Sequence, residues 1–282
     1  MRRRTAYWAF LAFLTFFGGC KSLTGILDGV PKPSVKVLGV GLQGLSLSGA
    51  SLVFDLEISN PYAASLPLVD LSYTLASGGN TILEGKVVQS GSVPARGTQV
   101  IQLPANFRFS ALLEVLKGVK PGAVIGYQAD FSLGVNAPVL GMMSLPFSHK
   151  GELPIPAMPQ IELASFELAK LGLEETRATA HVRVKNTNQF PLDLSKLGLD
   201  FALGEQEIVR TSTSNAISLK PDETQTLLVS LSFSPRTLGV GLLNLLRGNE
   251  IAYQLRGVLE ANTRFGPLSL PLSRIGNTPV RR

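Results

Sequence analysis

The residues whose types could do chemistry are two histidines and two pairs of neighbouring acidic residues in a chain of 282 residues. His149 and His181 could act as general bases, and Glu174-Glu175 and Asp222-Glu223 could form acid/base pairs. We expect all of them on the solvated surface, because they fall beside a linker, on the polar face of a strand or in turns. The single cysteine adds too few ligands for a Cys/His zinc cluster. The sequence therefore predicts no catalytic residue and no metal site.

A glycine-rich motif, Gly39-Val40-Gly41-Leu42-Gln43-Gly44, matches the G-x-G-x-x-G pattern of dinucleotide sites. Such a site needs a helix directly after the glycines, whose N-terminus binds the pyrophosphate. The alternating run Leu45–Gly49 predicts a strand instead, so no cofactor is expected. The sequence also has no G-x-S-x-G elbow, H-E-x-x-H motif or P-loop. We predict a protein that is not an enzyme, with a hydrolase based on His149 or His181 as the distant alternative.

The N-terminus has the layout of a secretory signal. Arg2-Arg3-Arg4 precede an apolar run, Trp8–Phe17, that is about half the length of a membrane-spanning helix. The next residues, Gly18-Gly19-Cys20, resemble the lipobox of bacterial lipoproteins, which predicts a signal peptide at residues 1–19 and lipidation of Cys20. By the same resemblance, Lys21 favours the outer membrane. We therefore expect a lipid-anchored protein of a bacterial cell envelope that faces the periplasm.

Composition excludes further classes. An apolar content of 45% with only 16% charged residues is too hydrophobic for a disordered chain. Without residues 1–19, which hold three arginines and no acids, the net charge falls from +6 to +3. The sequence has no run of Lys or Arg interleaved with aromatic residues, so no nucleic-acid partner is predicted.

The rest of the chain is one unit present twice at an offset of 126 residues. The alternating strand that ends at Asn60 reappears as an alternating strand that ends at Asn186. Gly122 recurs as Gly248, and Tyr127-Gln128 recur as Tyr253-Gln254. These matches predict a tether at 20–33, a first domain at 34–149, a proline-rich linker at 150–159, a second domain at 160–274 and a tail at 275–282.

Each copy is expected to contain about seven strands and one helix. In copy one the strands are Val35–Leu38, Leu52–Ile58, Leu68–Leu75, Ile82–Val88, Gln99–Leu103, Val124–Leu133 and Gly141–Phe147. The helix is predicted from Phe109 to Lys117 with Ser110 as its N-cap, and in copy two as a core helix from Ser234 to Gly248. The fold class is mainly β, with two tandem antiparallel β-sandwiches that each carry one inserted helix.

In each copy the alternating strand is followed by a proline-bearing loop. The motif residues are Asn60, Pro61 and Pro67 in copy one, and Asn186 and Pro191 in copy two, which has Thr187 in place of Pro61. This pattern resembles the WHy (water stress and hypersensitive response) domain of the LEA14-like, group 2 late embryogenesis abundant family. From their residue types, we expect the asparagines to adopt left-handed or turn geometry and bond their own backbone, and the prolines to end ladder pairing.

The resemblance covers nearly all of 34–148 and, more loosely, 160–274. It implies fibronectin-III-like sandwiches, no catalytic residues and a role in desiccation and related stress. We thus expect a non-enzymatic envelope lipoprotein that shields proteins or membranes, with the membrane and partly unfolded client proteins as partners. The alternative is an envelope assembly or adaptor module that binds one specific protein, for instance by adding a strand to a sheet edge.

Overall fold

The structure is a computed structural model that describes residues 31–281, apart from 139, 205, 214–216 and 239–240. Cys20, the predicted signal peptide and most of the predicted tether lie outside the described residues. Pro33–Arg282 form one compact unit with its own hydrophobic core. None of the described helices is long and apolar enough to cross a membrane.

Copy one folds into two antiparallel sheets. Its elements in chain order are β1 (Ser34–Gln43), β2 (Gly49–Ser59), β3 (Leu66–Ser77), β4 (Asn80–Val88), β5 (Ser92–Val93), β6 (Thr98–Arg108), α1 (Phe109–Val115), β7 (Val124–Ala137) and β8 (Gly141–Pro154). One sheet has the order β1-β2-β6, and the other has the order β4-β3-β7-β8 with β5 paired to β3. All seven predicted strands are present, and each is longer than the sequence pattern indicated.

Copy two repeats this arrangement. Its elements are β9 (Gln160–Lys170), β10 (Thr176–Lys185), β11 (Leu192–Leu203), β12 (Gln206–Thr213), β13 (Ile217–Leu219), β14 (Thr224–Phe233), α2 (Pro235–Leu238), α3 (Gly241–Leu246), β15 (Glu250–Thr263) and β16 (Gly266–Arg281). The orders β9-β10-β14 and β12-β11-β15-β16 match the two sheets of copy one. In copy two, however, Val280 and Arg281 of β16 pair in parallel with Phe166 and Glu167 of β9. This pairing joins the two sheets of copy two into one continuous sheet.

Alternation of apolar and polar residues decides which face of each strand is buried. In β2, Phe54 and Leu56 are buried, whereas Asp55 between them points to the opposite, polar face. The Phe54 ring packs edge-on against Phe131 and Tyr127 of β7, with centroid distances of 5.1 and 6.3 Å. Full burial of one such side chain contributes roughly 1.5–3 kcal/mol. The contacts join the two sheets of the sandwich, and the expected fold class is confirmed.

Two strands run past the predicted domain limits. β8 continues to Pro154, so only residues 155–159 of the predicted linker lie between strands. β16 continues to Arg281 through the predicted tail, because β15 pairs with it as far as Glu250, opposite Pro279. Sequence alternation fades at both places, but the partner strand still offers backbone donors and acceptors that need pairing.

The predicted helices are present with different ends. α1 begins at Phe109 after Arg108, and its N-terminus has no side-chain cap, so the assignment of Ser110 as N-cap is wrong. The N–H of Phe109 instead donates to the carbonyl of Ser48 at 2.9 Å, and the buried Phe109 ring holds the helix start in the core. In copy two the predicted helix is present as two shorter helices, α2 and α3, on either side of residues 239–240.

Candidate functional site

The motif asparagine of copy one lies directly after β2 and is only 2% exposed. Its Nδ2 group donates to the carbonyls of Ala64, Val93 and Pro94 at 2.9, 3.1 and 2.9 Å. Its Oδ1 atom accepts the N–H of Tyr62 at 2.9 Å. One small amide thereby joins the end of β2, the loop that follows it and the segment that leads into β6.

Asn186 makes the same set of contacts after β10 and is completely buried. Its Nδ2 group donates to the carbonyls of Phe190, Leu219 and Lys220 at 2.9, 3.1 and 3.2 Å. Its Oδ1 atom accepts the N–H of Asn188 at 2.9 Å. Each of these partners lies 126 residues after its counterpart in copy one. We call Asn60 and Asn186 the asparagine anchors; their amides are used inside the protein and cannot reach an external partner.

The left-handed backbone in this region belongs to other residues. Arg96 has φ 51° and Asp222 has φ 60°, and they occupy the same position of the turn before β6 and β14. Neither asparagine anchor has a positive φ, so of the expected left-handed or turn geometry it is the turn that is present, with the side-chain oxygen bonded to the N–H two residues further on. The expected bond to the local backbone is present. The backbone N–H groups of Asn60 and Asn186 also donate to the carbonyls that follow the left-handed residues, at 2.9 Å in both copies.

The motif prolines lie at the margins of strands. Pro61 is half-buried in the loop after β2, and Pro191 is exposed directly before β11. Pro67 is exposed within β3, opposite Ser92 of β5, and the pairing of β3 with β7 begins at the next residue. Such margins are where a residue without an N–H group fits a sheet.

After the anchor, the loop of copy two diverges and contacts the connection between the copies. Asn188 accepts the N–H of Ala157 at 2.7 Å and donates to its carbonyl at 3.0 Å. The Thr187 hydroxyl donates to the carbonyl of Met158 at 3.0 Å. The N–H of Gln189 donates to the carbonyl of Gly122 at 2.7 Å. Two residues that depart from the motif, Thr187 and Asn188, therefore bond to the connection between the copies, and Gln189 bonds to copy one itself.

The histidines lie in different surroundings. His149 is half-buried at the surface, and its ring lies 6.2 Å from the Phe54 ring and 6.3 Å from the Tyr127 ring, so aromatic side chains cover part of it. Burial raises the pKa of Tyr127 to about 12. His181 lies on the outward face of β10, where its Nε2 atom is 3.2 Å from a carboxylate oxygen of Glu167. No group of three or more metal-binding side chains is present among the described residues.

The acid pair Glu174-Glu175 lies in the turn between β9 and β10 and forms ion pairs. Glu174 pairs with Arg236, and Glu175 pairs with Lys170 at 2.7 Å and Arg177 at 2.6 Å. Hydrogen bonds from Lys170 and then Arg177 lower the pKa of Glu175 to about 2. Glu175 is therefore ionised at neutral pH and has no proton to donate as a general acid.

The second acid pair, Asp222-Glu223, is part of the turn before β14. Asp222 lies 3.8 Å from the ammonium group of Lys185. Hydrogen bonds from the Gln225 side chain and then the Lys220 backbone lower the pKa of Glu223. Like the first pair, this pair consists of charged turn residues.

Two further segments have structural roles. The motif Gly39–Gly44 lies almost entirely within β1, and no helix follows it before β2. The strand predicted over Leu45–Gly49 is wrong, because residues 45–48 form the loop that connects β1 to β2. In the leucine-rich segment, Leu242 is 2% exposed and Leu246 is completely buried, as expected of a core helix.

Comparison with known proteins assigns the family. The sequence profile of the late embryogenesis abundant protein family LEA_2 matches residues 55–151 and again residues 181–276. The chain belongs to this family. The two matches fall on the two structural copies, and they cover both asparagine anchors.

The matches to relatives in plants each extend over about the length of one copy. The desiccation protectant protein Lea14 homolog of Glycine max is 31% identical over 129 residues, which cover 46% of this chain and 85% of the relative. The desiccation-related protein PCC27-45 of Craterostigma plantagineum is 31% identical over 132 residues, or 47% of this chain and 87% of the relative. Among solved structures, a late embryogenesis abundant protein, At2g46140.1 of Arabidopsis thaliana, is 30% identical with a TM-score of 0.40, over 47% of this chain and 76% of that one.

Proposed function

We propose that this chain is a non-enzymatic protectant against desiccation and related stress that shields partly unfolded proteins or membrane surfaces. The observation that carries the proposal is the match of both copies to a family whose relatives are named for desiccation. The geometry of the motif supports a structural role for the family residues, because the asparagine anchors are buried and their side-chain amides donate to backbone carbonyls.

The surface is compatible with weak, general contacts. Exposed apolar side chains are distributed over several strands of both copies, for example Leu38 at 56%, Val88 at 82%, Met142 at 64%, Leu228 at 66% and Ile275 at 70% exposure. Single exposed apolar side chains are common on folded proteins, so they permit weak contacts with different clients but do not by themselves mark a binding site. On this proposal, protection acts through preformed sheets and needs no folding upon drying.

The predicted lipid anchor at Cys20 would place the two sandwiches at a bacterial envelope membrane, with the outer membrane favoured by Lys21. Cys20→Ser should release the full-length protein from membranes into the soluble fraction. If the Cys20→Ser variant stayed in the membrane fraction to the same extent as the wild type, the proposal of a lipid anchor at Cys20 would be wrong.

Protection is tested with the compact unit, residues 33–282. A labile enzyme is dried and rehydrated with this unit, with an equal mass of an inert globular protein, or alone. We expect clearly better recovery of enzyme activity with the unit than with the inert protein. Equal recovery would contradict the protectant role and favour the alternative, an adaptor with one specific partner, which crosslinking in intact cells would then identify.

A further inference from the structure

The strand β14 is an open edge of its sheet. It pairs with β10 along its whole length, from Thr224 opposite Lys185 to Phe233 opposite Thr176. No other strand of the described chain pairs with its second side. An edge strand of this kind presents a row of unpaired backbone N–H and C=O groups that can accept a further strand.

β14 lacks the residues that protect the other long edge strands. It contains no charged residue and no proline, and Leu228 in its middle is 66% exposed. Charges and prolines discourage the addition of a strand at an edge. The other long edge strands β1, β4, β6, β8 and β12 contain Lys36, Lys86, Pro104, Pro146 and Arg210, respectively.

The equivalent strand of copy one shows which backbone groups of β14 face outward. β6 pairs only with β2, and Pro104 lies within that ladder opposite Val53. A proline fits inside an edge strand where its nitrogen faces away from the partner strand. Ser230, opposite Thr179, holds the same position in β14. Its N–H group therefore faces the open side, as do those of residues 228 and 232, because alternate residues of an antiparallel strand point the same way.

We propose that β14 binds an extended, uncharged segment of a partly unfolded polypeptide as an added antiparallel strand. Main-chain hydrogen bonds provide affinity that depends little on sequence. The exposed Leu228 side chain adds one contact with an apolar residue of the guest strand. An uncharged guest fits because the outward face of β14 offers only Thr226, Leu228, Ser230 and Ser232 along this stretch. The inference rests on the proposed function, since it names the surface that a client would occupy.

The test uses residues 33–282 and one probe, reduced and carboxymethylated lactalbumin, a soluble chain that stays unfolded. Binding is followed by fluorescence anisotropy of the labelled probe. Ser230→Pro removes the outward N–H, and we expect binding to weaken about tenfold or more. Ser230→Ala keeps that N–H and is the matched control, with unchanged binding expected. Folding of Ser230→Pro is checked by circular dichroism, and Pro104 shows that this position of the fold accepts proline.

Two further measurements support or overturn the site. Hydrogen exchange on the wild-type complex should show new protection in the segment 226–232, and protection confined to other segments would overturn the proposal. Pro104→Ser opens the equivalent edge of copy one, so we expect a second, weaker probe to bind per chain.

The proposal is overturned if the wild-type unit does not bind the probe, or if Ser230→Pro binds as tightly as Ser230→Ala. It is also overturned if ultracentrifugation shows a wild-type dimer that Ser230→Pro dissociates, because the occupant is then a second copy of the chain. The drying assay separates this inference from the proposed function. Probe binding through β14 without protection of a dried enzyme would contradict only the proposed function, and protection without probe binding would contradict only the strand site.

Discussion

The loop after β2 and the loop after β10 begin with the same anchored asparagine and then differ. In copy one the next residues are Pro61 and Tyr62, and the buried Tyr62 hydroxyl has no hydrogen-bond partner among the described residues. In copy two they are Thr187 and Asn188, and both bond to the connection between the copies. The comparison shows two roles within one motif. The asparagine fixes the loop in both copies, whereas the two residues after it differ and in copy two bond to the connection between the copies.

The first prediction concerns the shared part of the two loops. Asn60→Ala and Asn186→Ala should each lower the free energy of unfolding by roughly 3 kcal/mol, because they leave buried backbone groups without partners. Urea unfolding measures both changes. Asn106→Ala in β6 is the control for an exposed asparagine and should change stability by less than about 0.5 kcal/mol. If Asn60→Ala were as mild as the control, the anchor role would be wrong.

The second prediction concerns the contact that copy two makes through its diverged loop. Gly122 has φ 95°, and a Cβ atom there would lie 2.6 Å from the carbonyl oxygen of Thr187. Gly122→Ala should therefore lower the free energy of unfolding by roughly 2 kcal/mol. Gly126→Ala is the matched control, since a Cβ atom at Gly126 meets nothing within 4 Å. Equal urea midpoints for the two variants would show that the copies are not held together at this point.

The third prediction separates the diverged residues themselves. Asn188→Ala removes two hydrogen bonds to Ala157 and should lower the free energy of unfolding by about 1–2 kcal/mol. Because Ala157 lies in the connection between the copies, calorimetry should also show less cooperative unfolding of the two sandwiches. Tyr62→Phe at the same position of copy one removes only an unpartnered hydroxyl and should leave stability unchanged or slightly higher. A larger loss of stability for Tyr62→Phe than for Asn188→Ala would contradict the prediction.

The smallest expected effect is a pH dependence that Glu175 contributes in copy two. Glu175 occupies the position of Gly49 in copy one, and its pKa in the folded protein is lowered to about 2 from the usual 4.5. A lowered folded-state pKa stabilises the protein above the unfolded-state pKa, so the contribution is lost as the pH falls from about 4.5 to 2. Unfolding of Glu175→Gln should depend less steeply on pH within that window than unfolding of the wild type. Glu84→Gln in copy one controls for loss of an exposed carboxylate, and equal slopes for both variants would contradict the prediction.

The region around the asparagine anchors shows which features could be predicted from the sequence and which could not. That Asn60 and Asn186 have a structural role, and that they bond the local backbone, follows from the residue type and its place at the end of an alternating strand. Their remaining bonds could not be predicted, because Val93 and Leu219 lie 33 residues away in the chain. No local signal marks Arg96 and Asp222 as left-handed either, since arginine and aspartate fit many turn positions and the ladder on each side imposes the geometry.

The sequence by itself determined the strands, their buried faces and the presence of two like sandwiches. Side-chain direction in a strand alternates with each residue, so a period of two in the local sequence predicts which face is buried. The same pattern recurs 126 residues later, which predicts the second sandwich. Only the tertiary structure decided that His149 packs against Phe54, that β16 pairs with β9, and that Asn188 bonds to the connection between the copies. Those contacts join residues far apart in the chain, and their geometry exists only once the strands that carry them have packed.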